Sequence, residues 1–268
     1  MSCQKALPAL ILSLFLVLSL PHSSSYASGQ FTDMQASTVA ASTIPDNKTG
    51  RRELVEERTA NTKYYLLENG SRQMGSTFEP QHYLDRNGNW QNIEPALIDE
   101  AEIQDLNVPM SQEVVDEVKQ IIKKNKELNR QKTFDDDNTS YKALQVPFNV
   151  SLSKNFQQGY RIQKGQDQLT FKPIAANNAK ANLTDKQTLT YVNAWGSTDV
   201  TLKVLGGGVK ETFILKDKNA PLTFSFEVEG EFNSKLATDQ LFILPAWLID
   251  ANGTVRPVEQ TLRKQGNK

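Results

Sequence analysis

Short runs of alternating apolar and polar residues, separated by glycine- and asparagine-rich turns, recur along the chain from residue 58 to residue 256. One example spans residues 199–215, where two alternating arms flank the glycines Gly206, Gly207 and Gly208. Alternation with a period of two residues is typical of a strand that buries one face. Many such strands at this spacing predict a mainly β fold, an antiparallel β-sandwich or meander.

The three glycines have two alternative interpretations that would make this chain an enzyme. A phosphate-binding loop places its glycines between a strand and a helix, because the helix N-terminus supplies the amide groups. Here the following residues, 209–215, end in β-formers and have no helical apolar stripe. An oxyanion loop needs a G-x-S-x-G nucleophile elbow elsewhere, and the sequence contains none. The glycines therefore predict a hairpin turn.

Asparagine–glycine pairs mark two further hairpins, at residues 69–70 and 87–88. Asn-Gly between short β-forming runs favours a type I′ turn, because both central residues must adopt positive φ. We predict another hairpin around Gly165 and a turn at residues 250–253.

Residues 111–140 interrupt the β pattern and are predicted to form a helical and polar insertion. Apolar residues recur at helical spacing over 111–130, and Ser111 stands where a capping residue is expected. The helix members that share the apolar face are Val114, Val115, Val118, Ile121, Ile122 and Leu128. A basic amphipathic helix can bind membrane surfaces, but packing of the stripe on the domain with solvated lysines is the simpler interpretation. The acidic run at 135–138 lacks the ligand spacing of a calcium loop and predicts a solvated turn.

The N-terminus has the pattern of a secretory signal peptide: Lys5, an apolar run over residues 6–20, and a small-residue cleavage site that ends at Ala27. An uncleaved anchor is the alternative, but the run is shorter than the roughly 20 residues of a membrane-spanning helix. We predict a signal peptide at 1–27, a flexible linker at 28–57, a β-rich module at 58–256 and a polar tail at 257–268.

Removal of residues 1–27 would limit the available chemistry. Cys3 is the only cysteine, so the mature chain would have no thiol and no disulfide, which fits an exported protein of a Gram-positive bacterium. Lys5 is the only charged residue removed, so 29 basic and 31 acidic side chains remain, a net charge of −2. This balance does not favour nucleic acid as a partner, and no second apolar run predicts membrane insertion after cleavage.

The sequence predicts no enzyme, no catalytic residue, no cofactor and no metal site. His82 is the only histidine of the mature chain, has no zinc-ligand spacing around it, and is interpreted as a packed or hydrogen-bonded sheet residue. A glycoside hydrolase needs only two carboxylates and remains a distant alternative. Its candidate acids are Asp85, Glu94, Asp199, Glu211, Glu227 and Glu229.

Carbohydrate binding is the main alternative function. Aromatic faces stack on sugars, and a β-sheet could present several of them as one platform. The candidate stacking residues are Trp90, Trp195, Trp247, Tyr83 and Tyr191. The competing interpretation is that the tryptophans are core residues with hydrogen-bonded indole N–H groups.

Four segments together resemble the N-terminal region of bacterial secreted RHS/YD-repeat proteins. These segments are Arg58-Thr-Ala-Asn-Thr-Lys63, His82-Tyr-Leu-Asp-Arg-Asn-Gly-Asn-Trp-Gln-Asn-Ile93, Tyr191-Val-Asn-Ala-Trp-Gly-Ser-Thr-Asp-Val200 and Gly208-Val-Lys-Glu-Thr-Phe-Ile-Leu-Lys216. The chain is similar to the leading part of wall-associated protein A-like chains and to exported DNRLRE-related proteins, over about residues 58–98 and 188–256. The resemblance implies a β-rich leader module and supplies no catalytic residues.

The chain departs from that family in the insertion at 111–140 and in its end at Lys268, where family members usually continue into repeats. We therefore expect a secreted, non-catalytic β module associated with the cell envelope. A cell-wall or envelope component is its expected partner, and the sequence does not indicate an oligomeric state.

Overall fold

The structure is a computed structural model that describes residues 10–18, 43–46, 50–103, 108–131, 140–230, 241–259 and 261. Eight strands precede the helix: β1 Leu10–Leu18, β2 Thr43–Asp46, β3 Arg51–Leu54, β4 Thr62–Leu66, β5 Arg72–Ser76, β6 His82–Leu84, β7 Trp90–Asn92 and β8 Glu94–Asp99. The helix α1 spans Gln112–Gln131.

Twelve strands follow the helix within the described residues. They are β9 Ser140–Gln145, β10 Asn149–Ser153, β11 Tyr160–Lys164, β12 Asp167–Pro173, β13 Ala181–Asp185, β14 Thr188–Trp195, β15 Thr198–Leu205, β16 Gly208–Leu215, β17 Phe226–Glu229, β18 Leu241–Ile243, β19 Ala246–Ile249 and β20 Val255–Val258. Short 3₁₀ turns occur at Val55–Glu57, Glu100–Glu102 and Phe156–Gln158.

Two antiparallel sheets pack face to face and form a β-sandwich, which confirms the predicted fold class. The front sheet has the strand order β13-β14-β15-β16-β1-β19-β20, with β18 also paired to β1. The back sheet has the order β17-β12-β11-β10-β9-β8. A four-stranded sheet β2-β3-β4-β5 and the hairpin β6-β7 complete the described architecture.

The sandwich core is built from the alternating positions of both sheets. Val200, Leu202 and Val204 of β15 are fully buried and belong to one cluster with Ile162 and Leu169 of the back sheet. Burial of each such side chain contributes about 1.5–3 kcal/mol relative to exposure, so the alternation itself selects which face turns inward.

The predicted turn at the three glycines is confirmed. β15 and β16 pair along their full lengths, and Leu205 pairs with Gly208, which leaves Gly206 and Gly207 as a two-residue connection. The adjoining arms bury alternate residues, as the pattern predicts.

The Asn-Gly hairpins β4-β5 and β6-β7 are also present, but the predicted type I′ turns are wrong. Gly88 has a φ of 80°, whereas Asn87 is not among the residues with positive φ. The Gly88 N–H donates to the Asp85 carbonyl at 2.9 Å, and the Asp85 carboxylate accepts from the Asn87 and Asn89 N–H groups. The aspartate therefore stabilises a longer loop in which only glycine needs the left-handed conformation.

Helix α1 packs its apolar stripe on the outer face of the back sheet, as the simpler interpretation predicts. Val114, Val118 and Ile121 cluster with Leu144 of β9 and with Ile103. Lys142 of β9 and Arg161 of β11 both pair with Glu117 of the helix, the latter at 2.9 Å. Lys119 and Lys123 are exposed. The predicted side-chain cap is wrong, because the buried Ser111 hydroxyl has no hydrogen-bond partner among the described residues. The backbone carbonyl of Ser111 instead accepts from the N–H groups of Val114 and Val115.

Two predicted boundaries need correction. The linker prediction for 28–57 is wrong over residues 43–46 and 50–57, where β2, β3 and a 3₁₀ turn occur. This part of the chain is ordered because Leu54 is buried and the Glu53 carboxylate pairs with the buried Arg58. The module predicted to end at residue 256 extends to Val258, the last residue of β20.

The apolar core of the predicted signal peptide forms β1, which lies inside the front sheet. Its removal on export stays a prediction. The predicted cleavage site, Cys3, residues 28–42, the acidic run at 135–138 and most of the tail lie outside the described residues.

Candidate functional site

The five predicted sugar-stacking residues do not form a platform. Tyr191 and Trp195 lie in the sandwich core, where the Tyr191 hydroxyl donates to the Ser153 carbonyl at 2.7 Å and the Trp195 indole donates to the Ile174 carbonyl at 3.2 Å. Tyr83 is buried and donates its hydroxyl to the Pro109 carbonyl. Trp90 is half-buried, and Trp247 on β19 is 41% exposed.

The predicted platform is absent because the large aromatic side chains of Tyr191 and Trp195 pack in the core. The Trp195 ring lies 5.1–5.8 Å from four phenylalanine rings, those of Phe156, Phe213, Phe224 and Phe226. Such tilted and edge-on contacts add to the free energy gained by burying the ring. The competing core interpretation is therefore correct for Trp195.

An open cleft of about 620 Å³ lies where the ends of β4, β7 and β15 meet. Polar side chains dominate its wall, among them the cations Lys63 and Lys203. The other lining residues are Glu79, Pro80, Gln81, Asn92, Ile93, Pro95, Gln187, Leu205 and Gly206. Cations and amide groups in a concave site can hydrogen-bond a hydroxyl-rich or anionic ligand.

Backbone hydrogen bonds fix the segments that line this cleft. The Gln81 N–H donates to the Ala60 carbonyl at 2.7 Å, and the Ile93 N–H donates to the Gln81 carbonyl at 2.8 Å. Gly206 provides the closest approach, because a Cβ at this position would lie 2.5 Å from the Pro80 carbonyl oxygen. The glycine turn therefore forms one wall of the cleft as well as the β15–β16 connection.

A buried ion pair lies next to the cleft. Arg58 Nε is 2.7 Å from Glu53 Oε1, and Lys63 Nζ is 3.8 Å from the same oxygen. Burial alone would raise the pKa of Glu53, but the hydrogen bond and charge of Arg58 outweigh it and lower that pKa. Glu53 is thus held as a carboxylate.

His82 occupies a fully buried position near this pair. Its Nδ1 is 2.8 Å from the Thr59 carbonyl oxygen, so Nδ1 carries the proton and donates it there. Burial lowers the pKa of His82, and the positive charges of Arg58 and Lys63 lower it further. The hydrogen bond to Thr59 acts in the opposite direction but does not outweigh them. The interpretation of His82 as a hydrogen-bonded sheet residue is confirmed.

The carboxylates considered for a hydrolase are engaged in separate structural contacts. Asp85 accepts hydrogen bonds within its own turn and from Gln91 Nε2 at 3.0 Å, and these bonds lower its pKa although burial acts to raise it. Asp199 pairs with Lys216 at 2.7 Å. Glu94, Glu227 and Glu229 are exposed strand residues.

Glu211 differs from the other acids because it lies inside the sandwich core. Only 1% of it is exposed, its Oε2 accepts from the Tyr160 hydroxyl at 3.5 Å, and its Oε1 has no hydrogen-bond partner among the side chains that the structure describes. Burial raises the pKa of Glu211 to about 8, and the Tyr160 hydrogen bond only partly opposes this. The side chain is therefore protonated at neutral pH.

Within the residues that the structure describes, no three His, Cys, Asp or Glu side chains come together in a group that could hold a metal ion. No helix in the same residues is long and apolar enough to cross a membrane.

No protein-family model matches this sequence, and no curated protein or solved structure shows significant similarity to it.

Sequence reasoning missed both the cleft and the Glu53–Arg58 pair. The segment RRELVEER at 51–58 is a charge run, and such runs usually indicate a solvated segment. The cleft residues come from five separate parts of the sequence, so no local pattern marks them.

Proposed function

We propose that this protein is a secreted, non-catalytic β module that associates with the bacterial cell envelope, as a relative of the RHS/wall-associated leader region. Residues 1–27 have the pattern of an export signal, and the four quoted segments resemble that family's leading region. The module would serve as a scaffold that holds an envelope component.

The non-catalytic part of the proposal rests on the positions of the reactive side chains, which are buried in structural contacts. His82, Asp85 and Glu211 are buried in contacts that hold the backbone or the core, and none of the three lines the cleft. A general acid or base must reach its substrate within hydrogen-bond distance, and this requires an accessible side chain.

Carbohydrate binding remains the second candidate, now at the cleft instead of an aromatic platform. Lys203 and Gln187, with Asn92 and Gln81, supply hydrogen-bond donors in one concave surface. A phosphate- or carboxylate-bearing wall polysaccharide has the matching acceptors.

The experiment is retention of the exported protein on purified peptidoglycan and on purified anionic wall polysaccharide. The chain is expressed in a Gram-positive host, its processed N-terminus is sequenced, and the bound fraction is measured by sedimentation. We expect cleavage near Ala27 and retention on at least one of the two wall materials. An unprocessed intracellular protein, or no retention on either material, contradicts the proposal.

Matched variants separate the two candidate functions. Lys203→Gln removes a cleft cation, whereas Lys172→Gln removes an exposed cation of β12 that is not a cleft residue. Cleft-mediated polysaccharide binding predicts a loss of about tenfold or more for Lys203→Gln alone, because a charge-assisted hydrogen bond is worth about 1.5–3 kcal/mol. Equal retention of both variants removes the cleft from consideration and leaves the scaffold function.

A further inference from the structure

β1 holds together two parts of the front sheet that have no other strand pairing between them in the described residues. On one side it pairs with β16 over eight positions, from Leu10 opposite Leu215 to Val17 opposite Gly208. On the other side it pairs with β18 and β19. All other pairs of this sheet join strands that follow one another in sequence.

β1 is also the strand that export would remove. The pairing segment Leu10–Leu18 lies inside the apolar run of the predicted signal peptide, upstream of the predicted cleavage after Ala27. The inference that follows rests on the proposed function, because it requires that the leader is cleaved.

The edge of β16 exposed by that cleavage would be long and regular. It has eight residues, contains no proline, and its register with β1 shows no bulge. Its residues Val209, Phe213 and Leu215 belong to the buried core. Exposed strand edges are usually short, bulged or interrupted by proline, since a bare ladder of N–H and C=O groups templates pairing with another chain.

The vacated position admits only a particular kind of occupant. Neighbouring strands lie about 4.8 Å apart, so one strand fills the position between β16 and β19. An inserted strand must therefore be free along both of its edges. The β16 edge of a second copy is attached to β15 and does not meet this condition.

We infer that the exported protein accepts an extended apolar segment of about eight residues from a partner protein, which pairs antiparallel to Gly208–Leu215 in the position that β1 occupies here. Main-chain hydrogen bonds give such strand addition its affinity, and alternate side chains give it specificity. Leu10–Leu18 shows the chemistry and the direction of the segment that fits.

Glu211 is the specificity determinant within this position. It is buried, its Oε1 has no partner within the described part of the chain, and it stands directly opposite register position 14 of the inserted strand. Residues directly opposite each other in an antiparallel pair are nearest neighbours on one face of the sheet. Position 13 stands opposite Thr212, which belongs to the other face.

The test uses the exported, processed protein and a synthetic peptide with the sequence of residues 10–18, flanked by lysines for solubility. Amide hydrogen exchange of residues 208–215 is measured by mass spectrometry with and without peptide. We expect the peptide to slow this exchange by about tenfold or more, since pairing protects strand amides. A Ser13→Pro peptide should give no protection, because proline cannot join a central ladder.

Two charged peptides then test the register. A Leu14→Glu peptide places a carboxylate opposite Glu211 and should bind about tenfold more weakly at pH 9, where buried like charges repel. A Ser13→Glu peptide carries the same charge on the other face and should bind within about threefold of the parent peptide.

The outcomes separate this inference from the function on which it rests. An intact leader on the purified protein refutes the proposed export and not the strand position. Three results overturn the inference in a processed protein: strong protection of residues 208–215 without peptide, a dimer that excludes the peptide, or equal weakening by the two charged peptides.

Discussion

At the scale of single residues, Glu211 is an ionisable side chain buried inside the sandwich core. An apolar residue at this position would continue the alternation of β16, and the glutamate instead places an ionisable group in the core. The folded chain holds the proton of Glu211 more tightly than the unfolded chain, because its pKa rises from 4.5 to about 8. Ionisation of Glu211 therefore favours unfolding.

Glu211→Gln should flatten the dependence of stability on pH. The wild-type free energy of unfolding should be unaffected by this group below pH 4.5, fall as the pH rises toward 8, and level off above 8. By pH 9 the variant should gain on the order of 4 kcal/mol over the wild type, compared with their difference at pH 4. Urea unfolding across this range measures the effect. Glu229→Gln, on the exposed side of β17, is the control, and parallel profiles for Glu211→Gln and wild type would contradict the assignment.

The Glu53–Arg58 pair is a second residue-scale constraint. Arg58→Ala leaves a buried carboxylate without its main partner and should reduce the free energy of unfolding by about 3–5 kcal/mol. Arg72→Ala breaks the exposed pair with Glu57 and should cost less than about 1 kcal/mol. Denaturant unfolding of the two variants provides the comparison. Similar losses would mean that burial of the first pair has no energetic consequence.

At the scale of secondary-structure elements, the β15–β16 hairpin joins the sandwich to the smaller sheets. Its turn residue Gly206 contacts the Pro80 carbonyl, and Ile93 lies beside it. The absence of a side chain at Gly206 therefore determines how closely the β6–β7 hairpin can approach the sandwich.

Gly206→Ala should disrupt this approach, because the added Cβ would lie 2.5 Å from backbone oxygen. We expect a loss of about 1–3 kcal/mol, the usual cost of overpacking, together with faster amide exchange across residues 80–93. Gly75→Ala is the matched control, since nothing lies within 4 Å of its added Cβ. Unchanged exchange in Gly206→Ala would show that the turn and the hairpin move independently.

At the scale of the whole molecule, the front sheet combines the N-terminal strand β1 with strands from the C-terminal half of the chain. β1 lies between β16 and β19, which are separated from it by about 200 residues of sequence. The precursor and the exported protein would consequently differ by one interior strand. The retention and strand-addition experiments both examine this exported form.

The amino-acid sequence by itself determined the local structure where side-chain alternation or helical spacing was strong. The glycines at 206–208 predicted the hairpin, and the apolar stripe from Val114 predicted α1 and its buried face. The hairpin prediction succeeded because a one-residue shift of a strand would turn every apolar side chain toward solvent, and the helix prediction succeeded because its apolar residues recur on one face. The prediction of a type I′ turn at Gly88 was wrong because the Asp85 carboxylate accepts hydrogen bonds from the N–H groups of Asn87 and Asn89 and so stabilises a different loop.

Only the tertiary structure decided which residues meet. It placed Trp195 and Tyr191 in the core, paired Glu53 with Arg58, and brought Lys63 and Lys203 to one cleft. It also placed the apolar segment Leu10–Leu18 beside β16, although that segment has no alternation to mark it as a strand. Burial and pairing across long sequence separations depend on how the sheets stack, and local residue patterns do not encode that geometry.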